Sequence, residues 1–460
     1  MRLKLLILSL FTSFLFAACN KDEEITFDAN AKLAFSTDSV LFDTVFTSIG
    51  SSSRRLKISN PNEAAIILSN IKLSGGNTSA FSLNINGQPL AEINNLKLNG
   101  TDSINVFVKV NINPTTESLP FVVQDSILFY FNGQKRSIPL VAYGQNANFI
   151  KNSTIVSDMV WDSKLPYIIY NSLTVAENTT LTVNPGTKIL FHGNSTMSVR
   201  GTLNVNGTKA DTVLFTSDRL ERVYANETGQ WNGIHLYPES KNSTINYAVI
   251  KNATAGLTID GRSTGSEPKL LLTNTVIKNM EVVGLLGYET DITAFNNLFF
   301  NCGQYLLYGA GGGSYNLKQN TFAGYQDNKF ARKTAAVYLS DFISTTQASN
   351  LSLQLSNNII YGALADEFSI DKKSPTTVLT TVLRNNLIKT SKVIYADNLM
   401  NVDPSFLSSE NYNFEIATNS AIVKKGFNLS SDNYFSTFLK KDLKNKSRIF
   451  PSTPGCYEAN

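Results

Sequence analysis

Apolar and polar positions alternate in short runs along most of this chain, and the runs fall into two rhythms. In INVFVKV (104–110), Ile104, Val106, Val108 and Val110 point one way and Asn105, Phe107 and Lys109 the other. That is the period-two pattern of a half-buried strand. SILFYFNGQKRSIPLVAY (126–143) reads as a hairpin about Asn132-Gly133, because that dipeptide suits the left-handed conformations of a two-residue primed turn. Asn86-Gly87 and Asn99-Gly100 mark further turns, and no helical period of useful length interrupts them. Residues 31–147 are therefore expected to form about seven or eight strands of an antiparallel sandwich.

From about residue 165 the runs shorten and become β-branched, divided by Asn, Gly and Thr, as in SLTVAENTTLTVNPGTKILF, SVRGTLNVNG and DTVLFTS. A motif then recurs: NYAVIKN (246–252), NTVIKN (274–279), NNLFFN (296–301), NTFAG (320–324), NNIIYG (357–362) and NNLIKT (385–390). Alignment on its apolar pair places Val249, Val276, Leu298, Thr321, Ile359 and Leu387 at one position, with steps of 27, 22, 23, 38 and 28 residues. A period in the twenties, built from strands, predicts a stacked solenoid in which each turn buries its apolar residues only against the next. The longer steps are read as loops inserted into a turn, chiefly 325–350.

This second region resembles the right-handed parallel β-helix, the fold of pectate lyases and of many surface proteins. Asparagines stand just before the apolar pair (Asn274, Asn296, Asn297, Asn320, Asn357, Asn358, Asn385, Asn386), where the resemblance implies a hydrogen-bonded ladder at a turn. NPGTKILF, RGTLNVNGTKADTVLFTS and GQWNGI resemble the opening coils of such proteins. VDPSFLSSENYNFEIATNSAIVKKG (402–426) and RIFPSTPGCYE (448–458) resemble their close. The implied layout is a β-helix over 148–426 and a cap or tail over 427–460. In the first region, FSTDSVLFDTVFTSIGSSSRRLKISNPNEAAIILSNIKLSGG and the closing LVAYGQNANF resemble the immunoglobulin-like domain of the abnormal-spindle and hydin kind. That resemblance implies a spacer or adhesion module and brings no catalytic residues. The fold class expected is thus all-β: an N-terminal immunoglobulin-like β-sandwich followed by a right-handed parallel β-helix.

The first residues carry an address. Arg2 and Lys4, an apolar run from Leu5 to Phe16 and the small pair Ala17-Ala18 have the layout of a secretory signal over residues 1–18. The run is too short to span a bilayer, which takes roughly 20 apolar residues. Cys19 after the small pair resembles the lipobox of bacterial lipoproteins, with Phe16 where leucine is usual. Lys21-Asp22-Glu23-Glu24 resembles the signal that follows the lipidated cysteine in surface-exposed lipoproteins of the Bacteroidota. The resemblance implies an acylated Cys19, a flexible tether over 19–30, outer-membrane lipid as a partner and a location facing the cell exterior.

Charge and cysteine content narrow the classes further. Of 40 Lys and Arg and 36 Asp and Glu, setting aside Arg2 and Lys4 leaves 38 against 36, a balance of +2. Such a chain has no strong field for nucleic acid. Cys302 and Cys456 are too few for a disulfide framework and are read as thiols or a single bridge.

Catalysis on a β-helix face needs a recognisable set of groups. A hydrolase needs paired carboxylates. Asp366-Glu367 is the only adjacent acidic pair after residue 24, and it sits in an insertion, while Asp260-Gly261 ends a strand with no acid matching it one coil later. A lyase would bring calcium, with its six to eight oxygen ligands, and a basic residue; Lys251, Lys278 and Lys389 share a repeat position that Phe300, Ala323 and Tyr361 interrupt. His192 and His235 have no second His or Cys at metal spacing and are read as structural. GAGGGS (309–314) precedes a strand, so it reads as a turn and not as a phosphate cradle. No metal or other cofactor is expected.

Aromatic residues are the better lead. Trp161, Trp231, Tyr237, Tyr305 and Tyr308 lie near turns or strand ends, where flat faces stack on sugar rings. Tyr167, Tyr170 and Tyr325 are placed likewise. Asp-Ser/Thr-aliphatic tripeptides at Ser39, Thr44, Ser103, Ser126 and Thr212 match an O-glycosylation sequon of exported Bacteroidota proteins and equally suit strand entries. The function expected is non-catalytic binding or surface architecture, with a polysaccharide as ligand; the rival is a polysaccharide lyase or glycoside hydrolase.

Overall fold

The computed structural model describes residues 24–325, 331–344, 346–392 and 396–459. Cys19, the signal segment and most of the charged run after it lie outside the described residues. Two compact units divide between Asn146 and Ala147.

The first unit holds nine strands: β1 (Ala34–Phe35), β2 (Val40–Phe46), β3 (Arg54–Ser59), β4 (Ile66–Leu73), β5 (Phe81–Ile85), β6 (Glu92–Leu98), β7 (Ser103–Val110), β8 (Phe121–Phe131) and β9 (Gln134–Gln145). They form two sheets, β1-β3-β7-β5 and β2-β9-β8-β4-β6, with antiparallel pairings except β2 on β9. Alternation decides which side chains enter the core. In β7 Ile104, Val106, Val108 and Val110 are buried, while Phe107 and Lys109 are exposed. They meet Ile66, Leu68, Ile71, Ile127, Phe129, Ile138 and Leu140 across the sandwich. The β8–β9 turn has φ of 45° at Asn132 and 74° at Gly133, the two left-handed residues a primed turn requires.

The second unit is a parallel β-helix whose strands form one continuous sheet of 25 members. Each coil contributes a strand to each of three walls, named here in chain order. The first wall includes Lys188–Phe191, Val213–Ser217, Ala248–Lys251, Val276–Met280, Leu298–Cys302, Thr321–Gly324 and Ile359–Gly362. The second includes Thr196–Val199, Gly233–Leu236 and Ala255–Asp260; the third Thr202–Asn206, Ser243–Asn246 and Leu270–Thr273. Val283–Phe295 and Tyr305–Lys318 run through the second wall into the third. In the latter strand the bend falls at Gly311, Gly312 and Gly313; a Cβ at Gly313 would lie 2.1 Å from the Thr290 carbonyl. The six aligned positions are true neighbours, Val249 pairing with Val276, then Leu298, Thr321, Ile359 and Leu387.

Two columns of asparagines govern the turn before the first wall. The residues at Asn274, Asn296, Gln319, Asn357 and Asn385 take positive φ between 49° and 58°, a conformation asparagine tolerates better than most side chains. The next column is a ladder. Asn297 donates to Asn320 Oδ1 at 2.9 Å, Asn320 to Asn358 at 2.9 Å, Asn358 to Asn386 at 2.8 Å and Asn386 to Asn398 at 2.8 Å. Each amide also donates to a main-chain carbonyl of the third wall, so these buried groups are satisfied without water.

The repeat alone predicts that the coils bury all their apolar residues against one another, and they do not. The outward member of the apolar pair is not buried by neighbouring coils alone. Leu298, Thr321, Ile359 and Leu387 are 4% exposed or less because residues from Phe406 to Cys456 return along the outside of the first wall. This strap is fastened to the left-handed column: Asn385 donates to the Lys425 carbonyl, Asn357 to Phe427, Gln319 to Ser452, and Asn296 to Phe438 and Lys441. Arg448, wholly buried, ties Asn296 Oδ1 (3.0 Å) to the Glu458 carboxylate (3.2 Å). The closing residues are therefore a side brace that begins earlier than residue 427.

Candidate functional site

Strand alternation gives the second wall one outward row per register position. Ser198, His235, Thr258, Leu286, Tyr308, Tyr338 and Ser369 succeed one another coil by coil, each half-buried. Neighbouring strands are roughly 4.8 Å apart, so a long polymer would meet a new side chain at each coil. Tyr305, Tyr308 and Tyr338 form a ledge, with centroids 4.8 Å apart for Tyr305 and Tyr308 and 5.4 Å for Tyr308 and Tyr338. Tyr338 donates to Asp371 Oδ2 at 2.7 Å, and Lys373 lies 3.4 Å from that carboxylate. Burial pushes the hydroxyls of Tyr305 and Tyr308 up, so the ledge stays uncharged at neutral pH.

Toward the earlier coils the same wall carries a charged group. Arg200, Tyr237 and His235 form a stack, the guanidinium 4.3 Å over the Tyr237 ring and that ring 4.0 Å from the imidazole. Glu239 accepts from Arg200 at 3.1 Å. His235 Nε2 lies 2.7 Å from Asp260 Oδ2, while Asp260 Oδ1 is buried without a partner. Asp260 pairs in register with Tyr288, half-buried on the next coil. A carboxylate that holds one imidazole nitrogen leaves the other free to accept a proton. A second arrangement of this kind ends the first wall. His192 Nδ1 lies 2.8 Å from Asp218 Oδ2, and Tyr170 stacks on His192 at 4.5 Å. Burial pushes the Asp218 carboxyl up against the opposing pull of His192, and burial with the Asp218 charge pushes Tyr170 up to about 12.

The sequence leads divide sharply. Trp161 is 2% exposed and stacks on Tyr167 at 4.1 Å, and Trp231 is wholly buried and stacks on Phe191 at 4.0 Å. Both indoles are core, so neither can offer a face to a sugar. Tyr325 packs against Phe406 and Phe414 of the strap. Tyr305 and Tyr308 stand together on one rung of the second wall, and Tyr237 follows the second-wall strand Gly233–Leu236 three coils earlier. Tyr288, Tyr338 and the His235–Asp260 pair are additions. His235 and Asp260 are 25 residues apart, one coil, so aligning their strands would have found them.

The acidic pair of the insertion is structural. Asp366 accepts from Thr390 Oγ1 and the Ser391 amide, both at 2.7 Å, and Glu367 is buried against Arg332 at 2.7 Å. Cys302 and Cys456 are both buried and free. The candidate glycan acceptors sit where strands begin or run: Ser39 and Thr212 just before a strand, Thr44, Ser103 and Ser126 within one, none of them buried. Among the described residues no three His, Cys, Asp or Glu side chains are grouped to hold a metal ion. A groove of about 750 Å³ on the first unit, between Leu73, Phe81, Leu83, Leu90 and Phe107, has Lys109 as its one titratable side chain.

Residues 153–267 match the pectate-lyase-like β-helix domain family. No curated protein sequence matches the chain. Among solved structures, the chain is similar to the catalytic unit of a thermostable GH87 α-1,3-glucanase from Streptomyces thermodiastaticus strain HF3-3, at 9% identity over 75% of this chain and 87% of that one, with a TM-score of 0.20. It is also similar to a family 123 glycoside hydrolase from Clostridium perfringens, at 6% identity over 26% and 30% of the two chains and a TM-score of 0.18. Vibrio cholerae VesB protease gives 13% identity over 25% and 32%, and a TM-score of 0.17. The chain spans under a third of the length of these last two.

Proposed function

We propose that this protein is a lipid-anchored surface protein whose β-helix binds a polysaccharide along its second wall. The observation that carries the reading is the ledge of Tyr305, Tyr308 and Tyr338 on two adjacent rungs of the second wall, with Tyr288 one rung before it and Tyr237 two rungs earlier still. Uncharged aromatic faces at rung spacing stack on sugar rings, and the adjoining Asp371, Arg200 and Glu239 supply hydrogen bonds to hydroxyls. The family that residues 153–267 match is named for pectate lyases, which supports a carbohydrate ligand. Cys19 is the acylated anchor, Lys21 to Glu24 begin the tether, and the sandwich is an immunoglobulin-like spacer. Ser39, Thr44, Ser103, Ser126 and Thr212 are the O-glycan acceptors.

One observation favours the rival, a lyase or hydrolase: His235, held by Asp260 and stacked on Tyr237, is built as a proton-transfer group would be. A soluble chain from residue 25, presented with neutral and uronate-containing polysaccharides, separates the two. Retention without cleavage, lost in Tyr305→Ala/Tyr308→Ala, is the expected result. Release of unsaturated or reducing ends, lost in Asp260→Asn, would replace binding with catalysis. Silence across the panel would leave the protein as surface architecture.

A further inference from the structure

The first wall carries a charge arrangement that the binding face does not use. Lys251 and Lys278 are register partners on adjacent coils, so their Cα atoms lie roughly 4.8 Å apart. Both side chains are half-buried. Lys251 Nζ reaches only the Ala225 carbonyl, at 3.4 Å, and Lys278 Nζ lies 5.5 Å over the Phe300 ring. Neither forms an ion pair with a carboxylate among the described residues. Burial lowers both ammonium pKa values, and the Lys251 charge lowers that of Lys278 further. Elsewhere in this unit Arg332 is matched by Glu367, Arg448 by Glu458 and Lys318 by Asp432, while the single buried Lys269 donates to the Pro238 carbonyl at 2.7 Å; among the described residues only Lys251 and Lys278 are two such lysines on adjacent rungs.

Two like charges held together and partly desolvated, without a counter-ion, destabilise the fold unless something neutralises them. The surroundings are fixed in place. The loop 221–230 folds over this spot because Asn252 donates to the carbonyls of Tyr224, Ala225 and Glu227. Asn226, on that loop, accepts from Asn279 through Oδ1 at 3.2 Å, and its amide NH2 has no hydrogen-bond acceptor among the described residues. Two ammonium groups therefore stand on adjacent rungs under this loop, and among the described residues only the Ala225 carbonyl accepts from either.

We propose that Lys251 and Lys278, beneath the loop that carries Asn226, bind an oxyanion group: a sulfate, a phosphate or a sugar carboxylate. The site is separate from the tyrosine ledge and takes a small anion whether or not a polymer occupies the second wall. Thermal unfolding of the soluble chain from residue 25 tests it, with sodium sulfate, phosphate or glucuronate titrated against sodium chloride at equal ionic strength. The parent should gain stability with at least one of the three anions in excess of the gain seen for Lys251→Gln/Lys278→Gln, and Lys251→Arg/Lys278→Arg should keep that excess. Without any oxyanion the Gln variant should melt no lower than the parent, because a repulsion has been removed. Isothermal titration of the responding anion should give one site in the parent and at least a tenfold weaker one in the Gln variant; the anion that responds identifies the source chemistry. Equal responses of parent and Gln variant to all three anions would overturn the proposal. So would a Gln variant that unfolds well below the parent in chloride alone, since the lysines would then be structural.

Discussion

The first and second walls of the β-helix are built from the same coils, yet their outer faces have opposite fates. Leu298, Thr321, Ile359 and Leu387 project from the first wall and are covered by the strap. Tyr308, Tyr338 and Ser369 project from the second, and no strap residue is among their partners. The difference is chemical. An outward aliphatic column must be roofed, whereas tyrosines, with a polar tip on an apolar ring, stand at a wet surface unaided. The side chains a wall leaves uncovered are thus those that need no roof.

Four changes would break or sharpen that contrast. The largest effect is expected from Arg448→Met under the strap. It leaves the Glu458 carboxylate buried without its cation and cuts the bond to Asn296, and should cost about 3–5 kcal/mol in urea unfolding. Next is Asn358→Ala, which strips the acceptor from the Asn320 main-chain N–H and side-chain amide. Losing the only acceptor of one buried N–H and one of the two acceptors of the amide should lower stability by about 2–3 kcal/mol, while Asn→Ala at exposed Asn226 should change it little. On the open wall the balance reverses. Tyr305→Ala/Tyr308→Ala should shift stability by no more than about 1 kcal/mol, yet weaken retention on a bound polysaccharide at least tenfold, about 1.4 kcal/mol in affinity. The smallest effect concerns Asp366, whose carboxyl is held below its usual value by hydrogen bonds from Thr390 and Ser391. A group whose folded value is lowered stabilises above its unfolded value and loses that contribution as pH falls through the folded one. Asp366→Asn should therefore be slightly less stable than the parent at neutral pH and converge with it at acid pH, as read from melting temperature across pH.

Much of this was legible from residues alone, and the reason is periodicity. A β-helix repeats its environment every coil, so the recurrence of Asn before an apolar pair identified both the register of Val249 through Leu387 and the turn that the ladder occupies. The Asn132-Gly133 hairpin was legible because few dipeptides accept two left-handed residues. What periodicity does not reveal is what lies on top. Alternation marks Leu298 as outward and says nothing of Phe414, more than a hundred residues later, that buries it. Trp161 and Trp231 misled for a related reason. Position near a turn suggests exposure, but in a coil this narrow a residue beside a bend can still face the core, and both indoles do. The His235–Asp260 pair is hidden from a pattern of paired acids, because the partner of Asp260 stands one coil before it and is a histidine.

The strap has a consequence for how the solenoid opens. Stacked repeats ordinarily respond as a one-dimensional array in which each coil feels only its neighbours and a local disturbance stays local. Here Asn296, Gln319, Asn357 and Asn385, on four successive coils, are clipped to a single returning segment, and Arg448 reaches across 152 residues to do so. Loosening any one of those coils must also loosen the segment that holds the other three. The later coils of the β-helix should therefore exchange their amide protons as one block, and the coils before Asn274, which lie outside these clips, as separate and earlier-opening units.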